Sequence, residues 1–186
     1  MTSRFDTTLS QFESYCWIAG GAVLSHLMQT QTKDLDIFFA TESERERAVE
    51  TLLSKGGTHV KKLRLGDSIE FEGKVYDLLH MGATPQETIG CFDYTVCSIA
   101  VDLLGKTYKH PDFDEHLENR KLVYTGGSEK WFAGMPETVN RNIIQARRMS
   151  RYLKKGFDID DENIKRIFKR DEQLTLDWKS GIIVGQ

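Results

Sequence analysis

Two hydrophobic periods run along this chain, and the switches between them mark its elements. Cys16-Trp-Ile-Ala is an unbroken apolar run that stops at Gly20-Gly21. A run that short, bounded by turn residues, reads as a buried strand, expected over 17–21. An opening helix is expected at about 8–16, and a short helix at 22–29. Asp34-Leu-Asp-Ile-Phe-Phe39 reads as the next strand, over 34–39. Glu42 to Lys55 changes to helical spacing, with Ala48, Val49, Leu52 and Leu53 inward and Gly56-Gly57 as the stop. Strands follow at 59–65, 68–73 and 75–80, the last two as a hairpin around Gly73-Lys74. Helices are expected at about 86–103 and 136–155, with a strand or hairpin around Val101 to Tyr108. Mostly antiparallel, mixed strands flanked by helices define an α+β class.

The later helix opens on Pro136, which suits a first turn, and stops at Gly156. Val139, Ile143, Ala146, Met149 and Leu153 step by three and four, predicting a buried stripe. Arg141, Arg148, Arg151 and Lys155 fall on the opposite face. The default for such a face is solvent, and the sharper alternative is phosphate or RNA contact by Arg148 and Arg151. Asp160 reads as the cap of a final helix carrying Ile164, Ile167 and Phe168. Gly126-Gly127-Ser128 is the expected boundary between a head, 1–127, and a short helical tail, 128–186, packed together as one unit. The chain shows no internal repeat.

Candidate chemistry gathers on the second strand. Residues two apart in a strand share a face, so Asp34 and Asp36 project side by side. Such carboxylates repel unless a cation lies between them, and oxygen ligands suit Mg²⁺. Gly20 and Gly21 let backbone approach a ligand closely, and the helix behind them presents free N–H groups to an anion. Asp77 lies inside the apolar strand Val75 to Leu79, where a charge is costly unless paired or metal-bound. It is therefore a candidate metal ligand, with a charge on an edge strand as the alternative; Glu70 and Glu72 are fallbacks whose alternation reads better as a solvated face. Phosphate cradle plus metal-binding carboxylates outline a nucleoside-triphosphate site.

Gly20-Gly21, a short helix and Asp34-x-Asp36 resemble the signature of the DNA polymerase β-like nucleotidyltransferase superfamily. The resemblance is closest to the catalytic head of CCA-adding enzymes and bacterial poly(A) polymerases. It implies two metal ions, Mg²⁺ or Mn²⁺, on Asp34, Asp36 and Asp77. It also implies transfer of a nucleoside monophosphate from ATP or CTP to a hydroxyl, with pyrophosphate released and a tRNA or other small RNA 3′ end as acceptor. Cys91-Phe-Asp-Tyr-Thr resembles a family segment that contacts the sugar and triphosphate, which carries Asp93 and Thr95 over as nucleotide-binding residues. Asp93 reads equally well as a helix N-cap. The helix from Pro136 resembles the family helix whose upstream residues read the base, which adds Glu137 and Arg141, with Arg148 beyond them. The pattern departs from the family at Leu24 and Ser25, where it expects Arg-Asp, at Cys91 and Phe92, where it expects two arginines, and at Cys97, where it expects asparagine.

Composition limits the partners. The net charge of −3 over 186 residues argues against an indiscriminate grip on long nucleic acid. A protein or small-molecule acceptor therefore stands as the alternative, with a catalytically dead nucleotide-binding fold as another. Three cysteines form no metal-ligand spacing and no even disulfide set. Met1-Thr-Ser-Arg-Phe-Asp lacks a signal-peptide core, and no stretch reaches a membrane span; a cytoplasmic protein is expected. His110 and His116 lie among acids without a zinc motif. The acidic run at 158–163 lacks the glycine and distal glutamate of a calcium loop.

Overall fold

One parallel pairing in an otherwise antiparallel sheet sets the geometry of this protein. The structure, a computed structural model, describes residues 5–32, 34–129, 140–168, 174–177 and 182–185. Seven strands, β1 (Cys16–Ala19), β2 (Asp34–Phe39), β3 (Thr58–Leu63), β4 (Gly66–Phe71), β5 (Lys74–Leu79), β6 (Ile99–Asp102) and β7 (Thr107–Lys109), lie in the order β3-β4-β5-β2-β1-β6-β7. Only β2 and β5 run parallel; the neighbouring pairs are antiparallel. The helices are α1 (Asp6–Leu9), α2 (Gly21–Leu27), α3 (Glu42–Ser54), α4 (Pro85–Ile89), α5 (Phe113–Glu118), α6 (Arg141–Leu153) and α7 (Asp161–Ile167). A separate hairpin pairs β8 (Leu174–Asp177) with β9 (Ile182–Gly185). This is the α+β class expected from the sequence.

The sheet's two faces follow from side-chain alternation. Leu35, Ile37 and Phe39 of β2, with Tyr76 and Leu78 of β5, join the main core under Phe5, Leu9, Phe12, Ala48 and Leu52. The intervening residues of the same strands, Asp34, Asp36, Phe38, Asp77 and Leu79, therefore belong to the opposite face. There Phe38 packs with Trp17, Ala19, Met81, Ile89 and Ala100 in a smaller core. A third core gathers Leu24, Tyr94, Val96 and Tyr124 with Met149, Phe157 and Ile167, and so fastens α6 and α7 to the sheet unit.

Local signals explain most boundaries. Thr41 closes a capping box with Glu44 at the start of α3. Arg45, 2% exposed, ties α3 to β4 through Asp67, which also accepts from Lys62 Nζ at 2.9 Å. Glu72 and Gly73 have φ of 50° and 71°, the two-residue turn that matches strand twist, one residue earlier than expected. Asp160 caps α7 by accepting from Asn163 N at 2.7 Å.

Three expectations are corrected. The opening helix is only Asp6–Leu9, not 8–16. The helix expected over 86–103 ends at Ile89; Thr95–Cys97 makes one 3-10 turn and Ile99–Asp102 is a strand. That strand is buried at all four positions, so it shows no period of two and passes as a helical face. The tail is not wholly helical, since β8 and β9 form a hairpin there. The start expected at Pro136 lies outside the described residues; α6 is capped instead by Asn140 Oδ1, which accepts from Ile143 N at 3.1 Å.

Candidate active site

The parallel β2–β5 pairing places Asp36 directly beside Asp77, and Asp34 opposite Val75. Asp34 is exposed at the strand's start, while Asp36 and Asp77 are half-buried. Adjacent strands are about 4.8 Å apart, so the two inner carboxylates face each other at close range. Burial, then the charges of Asp77 and Asp34, push the Asp36 carboxyl up to about 7, against the pull of Arg148 and Arg151. Asp77 Oδ1 accepts from Ser68 Oγ at 2.6 Å. Ser68 is Asp77's neighbour on β4 and fully buried. Among the described residues, no three acidic, histidine or cysteine side chains are drawn together as a finished cation cage. Asp34, Asp36 and Asp77 nonetheless offer hard carboxylate oxygens of the kind that Mg²⁺ or Mn²⁺ takes, and a cation there would displace the proton that burial favours on Asp36.

A cleft of about 290 Å³ opens beside Asp36. Gly20, Gly21, Phe38 and Leu79 line it from the sheet side, Cys91, Phe92 and Asp93 from the loop after α4, and Arg148, Arg151, Tyr152 and Lys155 from α6. Gly20 has φ 74° and ψ −134°, a conformation only glycine adopts without strain. A Cβ there would meet the Phe92 ring at 3.4 Å, whereas Gly21 faces open space. The chain thus turns from β1 into α2 against the cleft, and the first N–H groups of α2 have no helical acceptor.

Asp93 corrects its reading as a helix cap. No helix starts there; the 3-10 turn has Tyr94 at its N-cap position, without a side-chain bond. Asp93 is 5% exposed, pairs with Arg148, and accepts from Gln145 Nε2 at 3.2 Å. Gln145 also donates to Ser128 Oγ at 3.0 Å. The two faces expected of α6 hold only in part: Met149 of the apolar stripe is buried and Arg151 of the basic face is exposed, but the rest differ. Ile143 and Leu153 are 49% and 39% exposed, whereas Gln145 and Met149 are buried. Arg148 turns inward because the buried Asp93 carboxylate requires donors, while Lys155, just past the end of α6, donates to Ser25 Oγ. Arg141 sits apart, paired with Glu129, which also accepts from Tyr124 Oη at 2.8 Å. Thr95 is buried and its hydroxyl partners His116 Nδ1 at 2.9 Å; it does not line the cleft. Glu137 lies outside the described residues.

The sequence reading missed Gln145, Tyr152 and Ser68. Gln145, Arg148, Tyr152 and Lys155 step by three, four and three, so the helical signal was present. It was hidden because the stripe is polar, and a hydrophobic period does not register a polar face that turns inward.

The sheet, glycine turn and carboxylate strand together form the nucleotidyltransferase fold, which solved structures share at low identity. The Thermotoga maritima CCA-adding enzyme complexed with tRNA matches at TM-score 0.60 and 18% identity, over 83% of this chain and 37% of that one. The Bacillus stearothermophilus CCA-adding enzyme in complex with CTP matches at 0.62 and 19%, over 90% and 43%. A tRNA nucleotidyltransferase complexed with a primer tRNA and an incoming ATP analog matches at 0.63 and 14%, over 88% and 48%. The chain thus spans less than half the length of each. Comparison with curated proteins finds no match. The chain belongs to the Gabija anti-defense 2 family, whose model matches residues 1–120. Among the described residues no helix is long and apolar enough to cross a membrane.

Proposed function

We propose that this protein is a metal-dependent nucleotidyltransferase that moves a nucleoside monophosphate from ATP or CTP onto a hydroxyl of a component of the Gabija defence. What carries the reading is the pairing of Asp36 with Asp77 on one sheet face, with Asp34 beside them, at the edge of a cleft that also holds the glycine turn and the cations of α6. Asp34, Asp36 and Asp77 would hold two Mg²⁺ or Mn²⁺ ions, which when bound lower the pKa of an attacking hydroxyl and neutralise charge on the leaving pyrophosphate.

The residues of the chain do the rest. Ser68 holds the Asp77 carboxylate in place. Gly20 and Gly21 admit the phosphates where a side chain would block the approach. Asp93 fixes α6 through Arg148 and Gln145, so that α6 walls the cleft beside the sheet. The attacking hydroxyl gives its proton to solvent as its oxygen forms a bond to the α-phosphorus, and the α–β bridging bond breaks with its electron pair going to pyrophosphate.

The family supports a protein acceptor within the defence, because its name concerns that defence. A second reading, addition to an RNA 3′ end, is supported by the fold's occurrence in enzymes complexed with tRNA. Incubation of the protein with each α-labelled nucleoside triphosphate, Mg²⁺, purified Gabija components and, separately, total RNA decides between them. Label on protein supports the first reading, and label on a discrete RNA band the second. Absence of label and of pyrophosphate release would leave only a nucleotide-binding fold.

A further inference from the structure

The cations of α6 are not equivalent. Arg141 is committed to Glu129 and Arg148 to Asp93. Among the described residues, no carboxylate forms an ion pair with Arg151 or Lys155. Both nevertheless line the cleft with Gly20, Gly21 and Asp36. Lys155 Nζ donates to the neutral Ser25 Oγ at 3.1 Å and lies 6.0 Å from the centre of the Tyr152 ring. Burial holds its pKa below the usual lysine range.

A cleft built this way has Asp36 at its sheet side, at the inner end of the carboxylate face, and two cations without a carboxylate partner among the described residues, Arg151 and Lys155, on the other. Its occupant must offer negative charge to both, to the helix directly and to the carboxylates through a metal ion. A nucleoside or a hydroxyl acceptor does neither. A polyphosphate chain does both, and the glycine turn between the walls leaves it room.

We propose that Arg151 and Lys155 bind the β- and γ-phosphates of the donor, with Ser25 orienting Lys155, so that α6 belongs to the donor site and selects triphosphates over monophosphates. This rests on the nucleotidyltransferase reading of the cleft. It assigns the free cations of α6 to the donor and not to an RNA backbone.

Calorimetric titration with ATP, AMP and inorganic tripolyphosphate, each with Mg²⁺, tests it on wild type, Arg151→Met, Lys155→Met and Lys154→Met. Methionine keeps the aliphatic stem and removes the charge, and Lys154 is an exposed neighbour. ATP and tripolyphosphate should each bind more weakly to Arg151→Met and Lys155→Met by about tenfold, a loss typical of one charge-assisted bond. AMP binding should stay unchanged, Lys154→Met should match wild type, and Lys155→Arg should recover most of the loss. Unchanged triphosphate affinity in both methionine variants, or equal losses for AMP, would overturn the proposal. The broader reading fails separately. If wild type transfers nucleotide while both variants keep its KM for the triphosphate, only the phosphate wall is wrong. If tripolyphosphate binding depends on both residues but no triphosphate is ever consumed, the wall stands and the transferase reading falls.

Discussion

Asp36 carries the most chemistry of any single residue, because it touches every part of the site. It neighbours Asp77 in register, shares a face with Asp34, borders the cleft and feels Arg148 and Arg151. Its removal should stop transfer without unfolding the sheet: Asp36→Asn is expected to lower turnover by about a thousandfold or more, on the scale of losing metal assistance, with an unchanged circular dichroism spectrum. Its titration gives a second expectation. The folded carboxyl, pushed up to about 7 by burial and its acidic neighbours, holds a proton that the unfolded chain has lost above about 4. The contribution of Asp36 to metal-free stability is therefore greatest below about pH 4 and falls as pH rises to about 7, by about 1.4 kcal/mol per pH unit at most, while the depressed carboxyls of Asp67 and Asp102 act in the opposite sense below that window. Mg²⁺ competes with that proton, so the thermal shift it produces should grow through the same window. Asp36→Asn should flatten both trends in a melting series from pH 4 to 8. The Asp34-x-Asp36 pair was legible in the sequence because strand alternation alone puts both on one face. The raised carboxyl was not, because it depends on Asp77, which arrives from a strand about 40 residues away.

Individual elements position these residues, and their failures should be local. Gly20→Ala forces a side chain into a backbone region that costs about 1–3 kcal/mol and presses on Phe92; chemical denaturation should read that loss, and Gly21→Ala, facing open space, should cost less. The Asp93–Arg148–Gln145 cluster is the hinge pin of α6. Asp93→Ala strands a half-buried guanidinium and should cost about 2–4 kcal/mol, with α6 losing hydrogen-exchange protection before the sheet does. On the far side of the molecule Asp67→Ala would take away one of the carboxylates that Arg45 bonds, leaving it the pair with Glu42 at 2.6 Å, and should cost about 1–3 kcal/mol with no effect on nucleotide binding in the folded fraction. The hairpin of β4 and β5 and the amphipathic α3 could be read from period and turn residues alone. Strand β6 could not, because complete burial erases alternation. The inward face of α6 could not either, because Gln145 and Arg148 are buried by pairing with Asp93 rather than by being apolar.

At the scale of the molecule, the parallel β2–β5 pair inside an antiparallel sheet is what brings carboxylates from distant segments together. Between the two strands the chain inserts α3 and the β3–β4 strands, a topology that no local pattern specifies. The same fold occurs in CCA-adding enzymes at under 20% identity, while family membership directs attention to a defence system. The most direct test is release of pyrophosphate and transfer of α-phosphate label from ATP and CTP, with Mg²⁺ and purified Gabija components, by wild type and by Asp36→Asn. The account predicts label on one acceptor with stoichiometric pyrophosphate, both lost in the variant. Wild-type transfer by Asp36→Asn, or no pyrophosphate from any nucleotide with the acceptors present, would contradict it.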